Sequence, residues 1–218
     1  MRARNGTVRR SRSGIVFIGV ALTAFAALFV LVRNERTAEF DHEVTVRVQR
    51  VRAPWFARLM TVVSWAGFPP QSRILPWTLP AVLLILGRPL EAFFQLMGWG
   101  TGGISFLVKR TMRRPRPNHP AINVVAARIG GTSFPSGHVI NYMGVYGFFA
   151  FLCWTYLKPA ALRRLVVGTI VSLLALVGPS RIYLGHHWLT DTLASYLLGS
   201  SYLLALTAVY RRVKQWTA

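Results

Sequence analysis

Three short polar strings interrupt an otherwise apolar chain. They are Lys109-Arg110-Thr111-Met112-Arg113-Arg114-Pro115-Arg116-Pro117, then Pro135-Ser136-Gly137-His138, then Ser180-Arg181 with His187 and Asp191. The first gathers its cations in one compact segment that Pro115 and Pro117 keep from continuing as helix, and such a cluster favours an anion. In the second, Ser136 stands where it can cap the helix that follows. Gly137 permits close backbone approach, so amides and the helix dipole face whatever anion binds there. His138 is a candidate proton donor, because imidazole changes charge near neutral pH. In the third, His187 and Asp191 are four residues apart and share one face if the last helix starts early, which lets the carboxylate fix the imidazole tautomer and stabilise its charged form. His186 has no such partner, and Arg181 adds a further cation. Together these groups suffice for breaking a phosphate ester.

The elements that must position them read as membrane helices. Of 218 residues, 53% are apolar, mean hydropathy is +0.40, and uncharged runs approach bilayer-spanning length, which points to one embedded domain. Six spans are predicted, at residues 15–32, 74–86, 90–108, 139–157, 165–177 and 192–210. The second and fifth reach only about 20 Å at ~1.5 Å per residue and must extend into their flanks, thin the bilayer or be shielded by neighbours. Between spans one and two, Phe40, Val44, Val48, Val51, Trp55 and Leu59 recur at helical spacing and Pro54 interrupts any single helix, so two short interfacial helices are expected. Residues 1–13 form a basic, flexible tail, and residues 14–218 form the single domain. The first span continues past Ala24-Phe25-Ala26 with no polar mature start, which favours an uncleaved anchor over a cleaved signal.

The formal charge of +20 does not point to nucleic acid, because the basic residues lie between hydrophobic segments rather than on one continuous face. Arg2 to Arg12, Arg88, Lys158 with Arg163 and Arg164, and Arg211 to Lys214 fall on one side of an even-odd topology. Both termini are then cytoplasmic, and all three polar strings emerge on the opposite face. The basic loop from Lys109 to Arg128 opposes this count and is set aside because its charges have a chemical use. Beyond Glu43 only Glu91 and Asp191 are acidic, so Asp191 is expected to be the sole carboxylate near the polar strings. Cys153 lies in an apolar run and reads as packing.

The order of these residues resembles the three-part signature of the type 2 phosphatidic acid phosphatases (PAP2). It runs Lys109, six residues, Arg116-Pro117, then Pro135-Ser136-Gly137-His138, then Ser180-Arg181, five residues, His187, three residues, Asp191. The hydrophobic spans are similar to the membrane lipid phosphatase branch rather than to the soluble vanadium haloperoxidases. The resemblance implies an all-α integral membrane bundle of six transmembrane helices. It implies that His187 attacks phosphorus, that Asp191 orients it, and that Lys109, Arg116 and Arg181 hold the phosphoryl oxygens with Ser136 and the Gly137 amide. His138 would protonate the leaving oxygen and later activate water. No cofactor is implied.

The substrate implied is a lipid phosphate or diphosphate within the bilayer of a bacterial inner membrane. An isoprenoid diphosphate such as undecaprenyl diphosphate is preferred, with phosphatidic acid and phosphatidylglycerol phosphate open. A lipid phosphotransferase would use the same intermediate. A non-catalytic binder or transporter leaves the His187–Asp191 pair unexplained. A metal on His138, His187 and Asp191 is disfavoured because Lys109, Arg116 and Arg181 repel a divalent ion.

Overall fold

The computed structural model describes residues 2–125 and 130–217, with side chains from residue 12 onward. The described residues form ten α-helices and no strand. The first, α1 (Arg2–Arg33), runs from the basic tail into the first span, and the expectation of a flexible tail over 1–13 falls largely outside the described side chains. Next come α2 (Ala38–Gln49) and α3 (Pro54–Trp65), the two short helices expected between spans one and two. Pro54 opens α3 at its first turn, where its missing N–H costs nothing.

The expected second span is α4 (Gln71–Ile85), and the third is divided into α5 (Pro89–Met97) and α6 (Gly100–Met112). The fourth begins as α7 (Gly137–Asn141), passes through a π-helical turn at Tyr142–Tyr146 and continues as α8 (Gly147–Tyr156). The fifth, α9 (Ala160–Tyr183), extends well beyond the short run predicted for it, and the last is α10 (Leu189–Thr217). Among the described residues, three helical stretches are by themselves long and apolar enough to cross a membrane: Arg12–Arg33, Ala160–Tyr183 and Leu189–Thr217.

Burial is reversed relative to a water-soluble bundle. Ile15, Val62, Ile85 and Leu165 are exposed, whereas Asp41, Ser64, Glu91, Gln95, Thr101, Ser180, Arg181 and Asp191 are buried. That is the arrangement expected where hydrocarbon is the outer solvent and polar groups must find partners inside. Much of the apolar stripe over α2, α3 and their joint obeys it: Phe40, Val51, Trp55 and Leu59 face outward while Asp41 and Thr45 face the bundle, and Val48 is half-buried against Met60 and Tyr183.

Helix α1 lies along α10, α3 and α8 flank α9, and α7 is enclosed by α6, α9 and α10. At the joint between α5 and α6, Gly98 and Gly144 let two backbones touch; a Cβ on Gly144 would stand 2.3 Å from the Gly98 carbonyl oxygen. There the Gln95 amide donates to the Val145 carbonyl at 2.9 Å, satisfying a group within the π-turn. A cluster of Phe94, Phe148, Leu152, Leu206 and Tyr210 fills the bundle beside Glu91, whose Oε1 accepts from Tyr156, Tyr210 and Lys214. The three polar strings lie at other helix ends, where α6 stops, α7 starts, and α9 turns into α10.

Candidate active site

Helix α6 ends at Arg113, in the left-handed conformation (φ 49°), with its N–H bonded back to the Lys109 carbonyl. The chain leaves the helix axis there, and Pro115 and Pro117 hold it extended, so Arg114 and Arg116 turn back into the bundle. Lys109, one turn earlier, donates to the carbonyls of Thr132 (2.9 Å) and Pro135 (2.7 Å) and thereby ties the Ser136–Gly137 loop to α6. Arg116 reaches the His186 carbonyl at 2.8 Å and the Nε2 of His187 at 3.1 Å.

His187 is not on a helix, as its spacing from Asp191 had suggested. It stands in the turn just before α10, where Gly185 (φ 71°) brings the backbone so close to Asn123 that a Cβ would meet its carbonyl oxygen at 2.5 Å. Asp191 belongs to the first turn of α10 and reaches back, its Oδ2 accepting the Trp188 N–H at 2.8 Å, in the manner of the acidic half of a capping box. The same oxygen accepts from the Ser133 hydroxyl and lies 3.4 Å from His187 Nδ1. Arginine can only donate, so Arg116 requires a lone pair on His187 Nε2 and assigns the ring proton to Nδ1, facing Asp191. Burial, and after it the charges of Arg181 and Arg116, hold this imidazole well below its ordinary 6.5. The ring is therefore neutral and oriented, with Nε2 turned toward Arg116 and Nδ1 toward Asp191.

Arg181 closes the far side. It is fully buried near the end of α9, its Nη1 3.2 Å from the Ser64 hydroxyl and its guanidinium 4.9 Å from the Phe68 ring centre. Its Nε and Nη2 have no partner among the protein atoms, and neither do the Ser136 hydroxyl or His138 Nε2. His138 packs edge-on against Phe68, which also meets His186 and lies beneath Arg181, while Arg116 reaches the His186 carbonyl, so the three strings meet around one small region. Ser136 occupies the N-cap position of α7, yet its hydroxyl makes no capping bond, contrary to the role predicted for it. A Cβ at Gly137 would meet nothing within 4 Å, so protein packing is not what keeps this position small.

Asp191 is not the sole carboxylate here. Asp41, from α2, is equally buried and shares Arg114 with it: Nη2 lies 2.6 Å from Asp41 Oδ2 and Nη1 2.7 Å from Asp191 Oδ1. Arg114, Asp41, Ser133 and Thr190 are thus members of the site that spacing did not single out. Ser133 precedes the second string and Arg114 sits inside the first, but among five similar cations nothing in the sequence marks it. Each Asp191 oxygen is already engaged by hydrogen-bond donors, which leaves a His138–His187–Asp191 metal triad without a free carboxylate. Among the described residues, no group of three or more His, Cys, Asp or Glu is placed to hold a metal ion.

Residues 92–215 match the model of the PAP2 superfamily, which is more than half of the chain. The chain belongs to the PAP2 superfamily. Its relatives include phosphatidylglycerophosphatase B of Bacillus subtilis (strain 168), 25% identical over 196 residues that cover 88% of this chain and 94% of the relative. Among solved structures, the transmembrane PAP2-type phosphatidylglycerolphosphate phosphatase from Bacillus subtilis superposes with a TM-score of 0.79 at 22% identity, covering 90% of this chain and 96% of that one. Aquifex aeolicus LpxE superposes with a TM-score of 0.57 at 16% identity, covering 78% and 93%. The first of these likenesses extends the PAP2 fold to 90% of the chain, beyond the stretch that the family model matches.

Proposed function

We propose that this PAP2 protein is an integral membrane lipid phosphatase that hydrolyses a terminal phosphate monoester through a phosphohistidine on His187, without a metal. One observation carries the reading. A neutral, buried imidazole, whose Nε2 accepts from Arg116, adjoins the unpartnered nitrogens of Arg181, the Ser136 hydroxyl and His138, and a phosphoryl group that takes over the Arg116 contact frees the Nε2 lone pair for attack. Nε2 attacks phosphorus while the ester P–O bond breaks, and His138, which takes up a proton as the bound phosphate dianion offsets the charges of Arg181 and Arg116, delivers it to the departing oxygen. Asp191 stabilises the Nδ1–H of the phosphorylated ring. Water then attacks phosphorus, gives its proton to His138, and the P–N electrons return to Nε2 as inorganic phosphate leaves. Arg116 and Arg181 oppose the charge that grows on the equatorial oxygens, and Lys109 fixes the loop bearing Ser136 and Gly137.

Two cavities support a lipid as the leaving group. One of about 360 Å³ adjoins His138 and is walled mainly by Pro76, Trp99, Tyr142, Val145 and Tyr146, with Arg73 and Asn141 among its polar groups, and would take the lipid side of the ester. The other, of about 550 Å³, brings Arg116, Asn118, His119 and His186 together with Pro117, Pro120 and Ile122 and would admit water and release phosphate. The Bacillus subtilis relatives are phosphatidylglycerophosphatases by name, which moves the preferred substrate from undecaprenyl diphosphate to phosphatidylglycerol phosphate.

Six crossings remain the reading of topology. At ~1.5 Å per residue, α4 reaches about 22 Å, α5 with α6 about 36 Å, and α7 with α8 about 30 Å. Both termini would be cytoplasmic and the site would open on the outer face of a bacterial inner membrane, because Arg88, Lys158, Arg163 and Arg211 flank the ends remote from His187.

Phosphate release from phosphatidylglycerol phosphate, phosphatidic acid and undecaprenyl diphosphate in micelles, in the presence of chelator, tests the proposal. The wild-type protein is expected to turn over and to form an acid-labile phosphoenzyme; His187→Asn is expected to do neither. Turnover by His187→Asn removes the nucleophile, and loss of wild-type turnover in chelator removes the metal-free mechanism.

A further inference from the structure

Asp41 lies about 150 residues from Asp191 in sequence and is fully buried. Its Oδ1 accepts the Thr190 N–H at 2.9 Å, and its Oδ2 accepts the Thr190 hydroxyl at 2.6 Å and Arg114 Nη2 at 2.6 Å. Arg114 Nη1 in turn donates to the Thr190 hydroxyl and to Asp191 Oδ1, both at 2.7 Å. Asp41, Thr190 and Arg114 thus form a closed ring of hydrogen bonds, with Asp191 attached through Arg114, that joins α2, the segment after α6 and the start of α10. No motif of the chain contains Asp41.

We propose that Asp41 is a positioning residue for the reaction, acting through Arg114 on Asp191 and so on His187; this rests on His187 being the nucleophile. The argument has two parts. Arg114 is a long side chain with a rigid fork, and holding both of its terminal nitrogens fixes where Asp191 Oδ1 lies. Asp191 Oδ2 is thereby aimed at His187 Nδ1. Charge supplies the second part. If Arg114 answered to Asp191 alone, its full charge would neutralise the carboxylate that must stabilise a positive or phosphorylated ring. Shared between two carboxylates, it anchors Asp191 and leaves that oxygen strongly accepting.

A purely structural alternative exists, since Asp41 also gives the first turn of α10 an acceptor for the Thr190 N–H. Coupling separates the two. In the full-length protein in micelles, Asp41→Asn is expected to lower kcat about 10- to 100-fold with KM within about twofold, because only the oriented transition state is weakened. In an Asp191→Asn background the same substitution is expected to cost less than about threefold, because its route of action is already cut. Losses that simply multiply would overturn the proposal.

Asp41→Glu, which keeps the charge, is expected to recover part of kcat, and Arg114→Lys, which cannot fork, to reproduce the loss. If Asp41→Asn fails to fold, Arg114→Lys carries the same cycle. Proton and nitrogen-15 spectra of the labelled imidazoles read the positioning without turnover: Arg116 keeps His187 as the Nδ1–H tautomer throughout, and the Nδ1 proton resonance is expected downfield in the wild type and shifted upfield, toward a free imidazole, in Asp41→Asn or Arg114→Lys, where the contact with Asp191 is loosened. An unchanged Nδ1 proton resonance overturns the positioning role. A wild-type protein that hydrolyses no lipid phosphate overturns the proposed function instead, and the Nδ1 proton resonance still decides the role of Asp41.

Discussion

Replacing Arg181 by methionine is expected to yield a protein that is more stable and inactive. The guanidinium is fully exposed to neither water nor a carboxylate; its polar contact is the Ser64 hydroxyl at 3.2 Å, with Phe68 beneath it. Burying such an ion costs several kcal/mol after relaxation. The hydrogen bond returns roughly 1.5–3 kcal/mol and the aromatic face about 1–2 kcal/mol. Methionine fills most of the stem's volume without the charge, so the variant should gain about 1–3 kcal/mol, a rise of several degrees in thermal midpoint for a chain of this size.

The loss of function should be far larger. Nε and Nη2 are the unpartnered donors, and two charge-assisted bonds to a phosphoryl group at ~1.5–3 kcal/mol each amount to a fall of about 10²- to 10⁴-fold in kcat/KM. Unfolding can be followed with a thiol-reactive fluorogenic dye, because Cys153 is buried and becomes reactive only when the bundle opens. Inorganic phosphate provides a second readout: at a hundredfold excess over its Kd it stabilises the wild type by about 2.7 kcal/mol, and this increment should vanish in the variant. A midpoint that falls by several degrees in Arg181→Met would refute the reasoning, since it would mean that the cation holds the fold together rather than the substrate.

Three further outcomes follow from the same geometry. Gly137→Ala should leave the thermal midpoint within about a degree, because its Cβ meets nothing in the protein, and should raise KM about tenfold or more if the phosphate occupies that space; unchanged kinetics would move the phosphate elsewhere. His186, buried beside Arg181, is held down to about 3 from its ordinary 6.5, so the unfolded chain binds the extra proton first and stability falls as pH drops from about 6.5 toward 3. Thermal midpoints across that window should fall less steeply in His186→Phe, and an identical slope would exclude this histidine as the cause. Glu91→Gln, at the other end of the bundle, should weaken the bonds from Tyr156, Tyr210 and Lys214 and cost about 1–3 kcal/mol of stability while leaving kcat unchanged, checked by unfolding and turnover on one preparation.

The convergence of the three strings was legible because each sits where an apolar run ends, and helix ends on one face of a bundle are brought together by alternation alone. Spacing did not reveal how the His187–Asp191 contact is made. A four-residue interval reads as two neighbours on a helix, whereas here Asp191 caps the turn that carries His187. Asp41 stays hidden in the sequence for a different reason. In an amphipathic stretch the charged side is taken to face water, but α2 sends Phe40 outward and Asp41 inward, the arrangement lipid imposes. The division of α5 from α6 depends on backbone contact between Gly98 and Gly144, and such tertiary proximity has no local signature.

The charges gathered around His187 also bear on which phosphate fits. Lys109, Arg114, Arg116 and Arg181 stand against Asp41 and Asp191, and with His187 neutral this leaves two positive charges in excess. A terminal phosphate monoester brings two negative charges near neutral pH; a phosphodiester brings one. Electrostatic complementarity therefore favours the monoester end of a lipid over the diester link that remains in its headgroup. The ring through Asp41 contributes to that balance as much as to geometry: without it, Arg114 would add a further uncompensated cation beside the nucleophile, disfavouring the phosphorylated, proton-bearing ring on which the second step depends.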